Sequence, residues 1–162
     1  MKQARAESAQ AARAHRSPTL ENRRARHEYE IMESLESGIA LRGTEVKSVR
    51  DGGASIAEAY VRFRDGQAWL VGMHIPPYKQ GSFSNVDPGR ARKLLLHREQ
   101  IARLRQRVQE KGLTVVPLRL YFTRGMVKVQ IGLARGKKLW DKRAGIAKRE
   151  VEREIARHTR AR

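Results

Sequence analysis

The sequence predicts a mainly β domain, a small closed antiparallel barrel of OB type with peripheral helices and a basic C-terminal tail. Three observations carry this reading. Apolar and polar residues alternate in several runs between residues 29 and 131, the pairs Asp65-Gly66 and Arg124-Gly125 stand between such runs, and only two stretches show helical spacing. Six short strands with one or two helices leave too few residues for a sandwich, which favours a closed Greek-key barrel. The expected organisation is an unstructured extension over 1–20, the barrel over 21–134 and the tail over 135–162.

The elements follow in order. Residues 1–20 hold Ala, Ser and Gln but almost no large apolar side chain, too little to offset the entropy of ordering. Tyr29, Ile31 and Leu35 alternate with Glu28, Glu30, Ser34 and Glu36. Glu33 intrudes on that apolar face, and Gly38 offers a bulge or turn before Ile39 and Leu41. Gly43-Thr44-Glu45 opens a short helix with Thr44 as its expected N-cap and Val46 and Val49 facing inward. Ala59, Val61 and Phe63 lead through Asp65-Gly66, a type I′ signal, into an extended run from Ala68 to Ile75. Phe63, Phe122 and Trp69 are expected in the core.

Residues 76–93 read as a long loop ending in the basic cluster Arg90, Arg92 and Lys93. Ile101, Leu104 and Val108 mark one face of a helix from Glu99 to Lys111, closed by Gly112. Leu118, Leu120 and Phe122 are expected to face one way, with Val127, Val129 and Ile131 returning beyond Arg124-Gly125. In the tail, Ala147, Val151 and Ile155 form a stripe too narrow to anchor a helix alone, so it is expected to be disordered or helical according to its partner.

Charge points to the partner. The 162 residues carry 35 Lys and Arg against 17 Asp and Glu, a net +18, of which the tail beyond residue 133 holds +7. Self-repulsion of this size favours a polyanionic partner, nucleic acid first and an anionic membrane surface second. The absence of cysteine excludes disulfide scaffolds, thiolate zinc sites and cysteine catalysis, and fits a cytoplasmic protein. No apolar run approaches a membrane span. The first twenty residues lack the apolar stretch of a secretory signal, and an organellar transit peptide is the alternative left open.

Phosphate contacts are expected from Arg23, Arg24 and Arg26, from Arg90, Arg92 and Lys93, and from Arg135, Lys137 and Lys138 around Gly136. Trp140, in the basic tail, suggests stacking or interface insertion, or a residue tucked onto the barrel. Catalytic signals are poor. His27, His74 and His97 stand among charges or in a strand-like run, and Glu36 and Glu45 would suit a metal-dependent nuclease only with partners that the sequence does not space correctly. These two acids read as a strand charge and a helix-cap charge, or as acceptors for a guanine edge or ribose hydroxyl. No phosphate-binding glycine loop or nucleophile elbow is present. No catalysis, metal or cofactor is expected. A ribosomal or assembly protein gripping rRNA, a ribonuclease and a membrane-surface protein are the rival readings.

The runs Asn22-Arg23-Arg24-Ala25-Arg26-His27, Gly43-Thr44-Glu45-Val46-Lys47-Ser48, Asp87-Pro88, Arg92-Lys93-Leu94-Leu95-Leu96, Gly132-Leu133-Ala134-Arg135-Gly136-Lys137-Lys138 and Asp141-Lys142-Arg143 closely resemble the small protein B (SsrA-binding protein) family of bacteria. The resemblance covers about residues 22–155, in order and at the family's spacing. It implies an OB-like barrel without cofactor or catalysis. Its implied partners are the tRNA-like domain of tmRNA, whose alanylation it would promote, elongation factor Tu with alanyl-tmRNA, and the decoding centre and empty mRNA channel of a stalled 70S ribosome. Asn22 and Arg23 correspond to an RNA-facing segment, Glu36, Leu95 and Lys128 to the RNA surface, and Glu45 and Lys47 to a helix motif. Lys137, Lys138, Asp141, Lys142 and Arg143 correspond to the hinge into a ribosome-binding tail that also includes Trp140, Ile146, Arg149 and Glu150. Many relatives have His where this chain has Trp140, and Lys148 stands one position from the family's lysine, which turns its charge by ~100° on a helix.

Overall fold

The structure, a computed structural model, describes residues 18–81, 84–110 and 112–160. In chain order these form β1 (Leu20–Glu21), α1 (Arg23–Glu28), β2 (Tyr29–Ile39), α2 (Gly43–Arg50), β3 (Tyr60–Arg64), β4 (Gln67–Val71), β5 (Arg92–Leu95), α3 (Arg98–Val108), β6 (Leu113–Thr123), β7 (Met126–Gly136) and α4 (Leu139–Arg160). The strands make one antiparallel sheet in the order β1-β6-β7-β2-β5-β4-β3. The expected closed barrel is not made by its hydrogen bonds. Among the described residues β1 and β3 share no rung, although the sheet curls enough to bring β3 against β6.

Both hairpins turn where expected. Asp65 and Gly66 have φ of 51° and 70°, and Arg124 and Gly125 have 51° and 76°, the left-handed pair that a type I′ turn requires. The main core lies on one face, from Val61, Leu70 and Leu94 to Val129 and Ile131, and α3 buries Ile101 and Leu104 on it. That helix ends at Val108 rather than near Lys111. Gly112, at φ 82°, then turns the chain into β6.

Two bulges correct the expected alternation. Register shifts between Ile31 and Glu33 in β2, and again between Pro117 and Arg119 in β6. An extra residue reverses which face the following side chains take. Ile31 therefore faces Ala134, whereas Glu33 faces Leu133 at the rim of the core, where it pairs with Arg103 of α3. Likewise Leu118 leaves the face of Leu120 and joins Ala25, Val116 and Ala134 in a second cluster beneath α1. Gly132 makes room for it. A Cβ there would lie 2.9 Å from Leu118 Cδ1 and 3.1 Å from Ile31 Cγ2.

Other expectations need adjustment. Leu20, assigned to the unstructured extension, pairs with Leu120, while residues 1–17 lie outside the described residues. The extended run from Ala68 stops at Val71 because Gly72 has φ 80° and lies where a Cβ would strike Glu58 O, and pairing resumes only in a Ser55–His74 bridge. The end of the expected loop is instead strand β5. Arg42 is the N-cap of α2 in place of Thr44, its N–H donating 2.8 Å to the Glu45 carboxylate, while the Thr44 hydroxyl donates to Ser84 O. The tail is helical over 22 residues, beyond the length at which isolated helices are marginal, and it is rich in the strong helix formers Ala, Arg, Lys and Glu. Its Val151 and Ile155 are exposed.

Candidate nucleic-acid interface

After its bulge, β2 sends Leu35, Ser37 and Ile39 toward the core and Ser34, Glu36 and Gly38 to the outer face. On that face Gly38 stands opposite Lys128 of β7 and opposite Leu95 of β5, and Lys128 stands opposite Tyr121 of β6. Tyr121, Lys128, Gly38 and Leu95 thus form one row across four strands. The next row holds Glu36, Gln130 and Arg119. Leu95 is 56% exposed and leans over Gly38, where a Cβ would lie 3.1 Å from its own Cβ. A cleft of about 260 Å³ opens here, with Leu41, Met126 and Lys128 among its walls.

The two rows are tied together. The Tyr121 hydroxyl donates to the Glu36 carboxylate, and the Arg119 guanidinium stacks 4.8 Å from the Tyr121 ring centroid. Burial, then the hydrogen bond to Glu36 and its negative charge, push the Tyr121 phenol up to about 12 against the pull of Arg119. In this pair the phenol donates and Glu36 accepts, and Lys128 makes no ion pair among the described residues.

Three residues expected at the RNA surface are inside. Asn22 is 3% exposed. Its side-chain oxygen caps α1 by accepting from Ala25 N, and its amide donates to Ile56 O at 3.0 Å and to Pro117 O at 2.9 Å, so it fastens α1 to the β6 bulge. Arg92 is wholly buried and Glu45 nearly so. Arg92 Nε donates 2.9 Å to Glu45 Oε1, and its remaining nitrogens donate to the carbonyls of Met73, Arg90 and Pro88. Arg90 adds bonds of 3.0 and 2.5 Å to the same carboxylate. Burial alone would raise the Glu45 carboxyl. Hydrogen bonds from Arg90, Arg42 N and Arg92, with the Arg92 charge, hold it below the ordinary value. Burial lowers the Arg92 guanidinium, and Glu45 counters it. This buried set ties α2 to β5 and so positions Lys93 and Leu95.

Other basic candidates gather around α1, which covers the opposite end of the outer face. Arg23 and Arg26 are exposed, and Arg24 is spoken for by Glu28, 2.9 Å away, and by Glu58. Lys137 N donates to Glu28 O and Lys137 Nζ to Arg26 O, which brings Arg135, Lys137 and Lys138 beside the helix. Strand rise along β7 places Arg135, the nearest of this group, about 23 Å from Lys128. Lys47 is exposed on α2 with its ammonium 5.6 Å from the Tyr78 ring centroid. In α4, Arg143, Ile146, Arg149 and Glu150 are exposed. The backbones of Trp140, Asp141 and Lys142 are helical, and their side chains lie outside the described residues.

The SmpB protein family matches residues 19–161. The chain belongs to this family. An SsrA-binding protein of Synechococcus sp. (strain JA-3-3Ab) is 57% identical over 144 residues, 88% of this chain and 94% of the relative. One from Thermus thermophilus is 54% identical over 139 residues, 85% and 96% of the respective chains. A solved structure described as "tmRNA-SmpB: a journey to the center of the bacterial ribosome" matches with a TM-score of 0.64 and 57% identity, covering 75% of this chain and 86% of the other. These SmpB relatives carry no enzymatic name. Among the described residues no three His, Asp or Glu side chains gather as a metal group, and no helix is long and apolar enough to cross a membrane.

Trp69 departs from expectation. Its neighbours Ala68 and Leu70 are wholly buried in the core, so alternation turns the indole to the outer face, where it is half-buried. Parity with these small and aliphatic neighbours was the available signal, outweighed by the size of the indole.

Proposed function

We propose that this chain binds the tRNA-like domain of tmRNA, promotes its alanylation and accompanies it, with elongation factor Tu, to stalled ribosomes in the cytoplasm. The barrel-like curl of its sheet grips folded RNA, and α4 enters the empty mRNA channel toward the decoding centre. No step of this role is catalytic. The observation that carries the reading is the register that sets Glu36, Leu95 and Lys128 on one outer face of a chain whose relatives are SsrA-binding proteins. A carboxylate acceptor, an exposed aliphatic side chain and an ammonium with no ion pair among the described residues suit a base edge, a sugar and a phosphate. The net charge of +18 supplies attraction to any RNA, so specificity must come from this face.

The test is competition at about 150 mM salt, where counterion release is weakened. Labelled tRNA-like domain is expected to stay bound against excess bulk tRNA and a generic duplex. Its loss to either competitor refutes the assignment. Deletion from Asp141 onward is expected to leave this affinity intact and to abolish tagging on stalled ribosomes. Tagging by the shortened chain refutes the role given to α4.

A further inference from the structure

A second row crosses the same outer face one step from the first. Arg62 of β3 stands opposite Trp69 of β4, and Trp69 stands opposite Lys93 of β5, so an indole lies between two cations on adjacent strands. Neither Arg62 nor Lys93 makes an ion pair with a described residue, whereas Arg64 is drawn 3.4 Å to Asp65. No cation stacks on the indole among the described residues. A cleft of about 360 Å³ opens at this row, walled by Arg62, Arg64, Gln67, Trp69, Val71 and Ala91. Lys93 and Leu95 are two residues apart on β5 and share a face, so the Trp69 row lies beside the Leu95 and Lys128 row on the same outer face.

We propose that Trp69 is a stacking platform for an unpaired base of the tRNA-like domain, with Arg62 and Lys93 holding the flanking phosphates. The proposal rests on the tmRNA-binding reading and extends its surface across β5 onto β4 and β3. An indole with a free face accepts any base, and cations on either side of it match a phosphate backbone passing over the row. Adjacency to the Leu95 row on the same face selects the same RNA as the ligand.

The experiment uses the full chain with Trp140→Phe, which leaves Trp69 as the sole indole. Titration with tRNA-like domain transcript at about 150 mM salt is expected to quench Trp69 fluorescence with the same midpoint as binding followed by anisotropy of labelled RNA. Trp69→Ala is expected to weaken binding about 5- to 150-fold, the range of base–aromatic stacking, with Trp69→Phe restoring most of it. Salt dependence separates the roles. Trp69→Ala should leave the slope of log affinity against log salt unchanged, and Arg62→Ala should make it shallower by about 0.7 to 0.9.

Unchanged fluorescence at saturation, with Trp69→Ala binding like the parent while Lys128→Ala binds weakly, overturns this proposal and leaves the tmRNA reading standing. Quenching by ribosomes and not by the transcript overturns it too. Failure of the parent itself to bind the transcript specifically removes the underlying reading instead. If Trp69→Ala melts well below the parent, the quench and the folded Trp69→Phe variant decide.

Discussion

Replacing Glu45 by Gln is the sharpest test of how the interface is held. The substitution keeps shape and one acceptor, so α2 can still be capped, but it removes the negative charge facing a guanidinium with no exposed surface. Arg90 keeps a 29% exposed side chain and can turn to water, whereas Arg92 is enclosed by Met73 O, Arg90 O and Pro88 O. Breaking one side of a buried pair costs about 3–5 kcal/mol. At roughly 4 °C per kcal/mol for a domain near this size, the midpoint should fall about 12–20 °C. Urea unfolding and a thermal melt at pH 7 measure both. Because the Glu45 carboxyl is held below its ordinary value of 4.5, its contribution is full above that value and fades as pH falls through the lowered one. Glu45→Gln should lack this acid-side loss. The double variant Glu45→Leu with Arg92→Met should recover most of the stability, since neither charge remains to be desolvated. A single variant within about 1 kcal/mol of the parent refutes the argument, since that is far below the cost of an orphaned buried charge.

Other outcomes follow from the same geometry. Leu95→Ala and Lys128→Ala should each weaken binding of the tRNA-like domain at about 150 mM salt without shifting the melting midpoint, as competition assays with a parallel melt would show; a shifted midpoint would mean that the face is structural. Gly132→Ala should destabilise by about 1–3 kcal/mol in urea unfolding because its methyl meets Leu118 and Ile31. Tyr121 should ionise near pH 12 in the difference absorbance between the parent and Tyr121→Phe, and Glu36→Gln should move that titration toward 10. The raised value means that the stability tied to the neutral phenol is present below pH 10 and lost as pH rises through about 12.

Much of the fold was legible because local chemistry dictates it. Asp65-Gly66 and Arg124-Gly125 could only be turns, and Val127, Val129 and Ile131 could only be one face of a strand. Leu118 was misplaced because a bulge leaves no reliable mark in alternation. Arg92 and Lys93 look alike in a basic run, yet strand parity sends one inward and the other outward, and only the carboxylate of Glu45, 47 positions away, makes the buried charge tenable. Asn22 was hidden for a similar reason. Its partners Ile56 O and Pro117 O belong to segments that meet it only in the fold. Apart from Trp69 and the N-cap at Arg42, where the local signal was outweighed, residues whose role is set by nearest neighbours were read from sequence, and residues whose role is set by a distant partner were not.

The outer face is divided along its length. Beneath α1, the β6, β7 and β2 strands are enclosed on both sides by the main core and by Ala25, Val116, Leu118 and Ala134, while at Lys128, Gln130 and Gly38 the same strands are only half-buried. The arrangement is that of a cantilever. Clamping one end of three long strands fixes the position of the other end without a helix over it. Of the side chains there, Glu36 is held by Tyr121. Leu95 and Lys128 make no ion pair among the described residues and are placed by their strands alone, as Gly132 and Asn22 at the clamped end are placed by packing and hydrogen bonds.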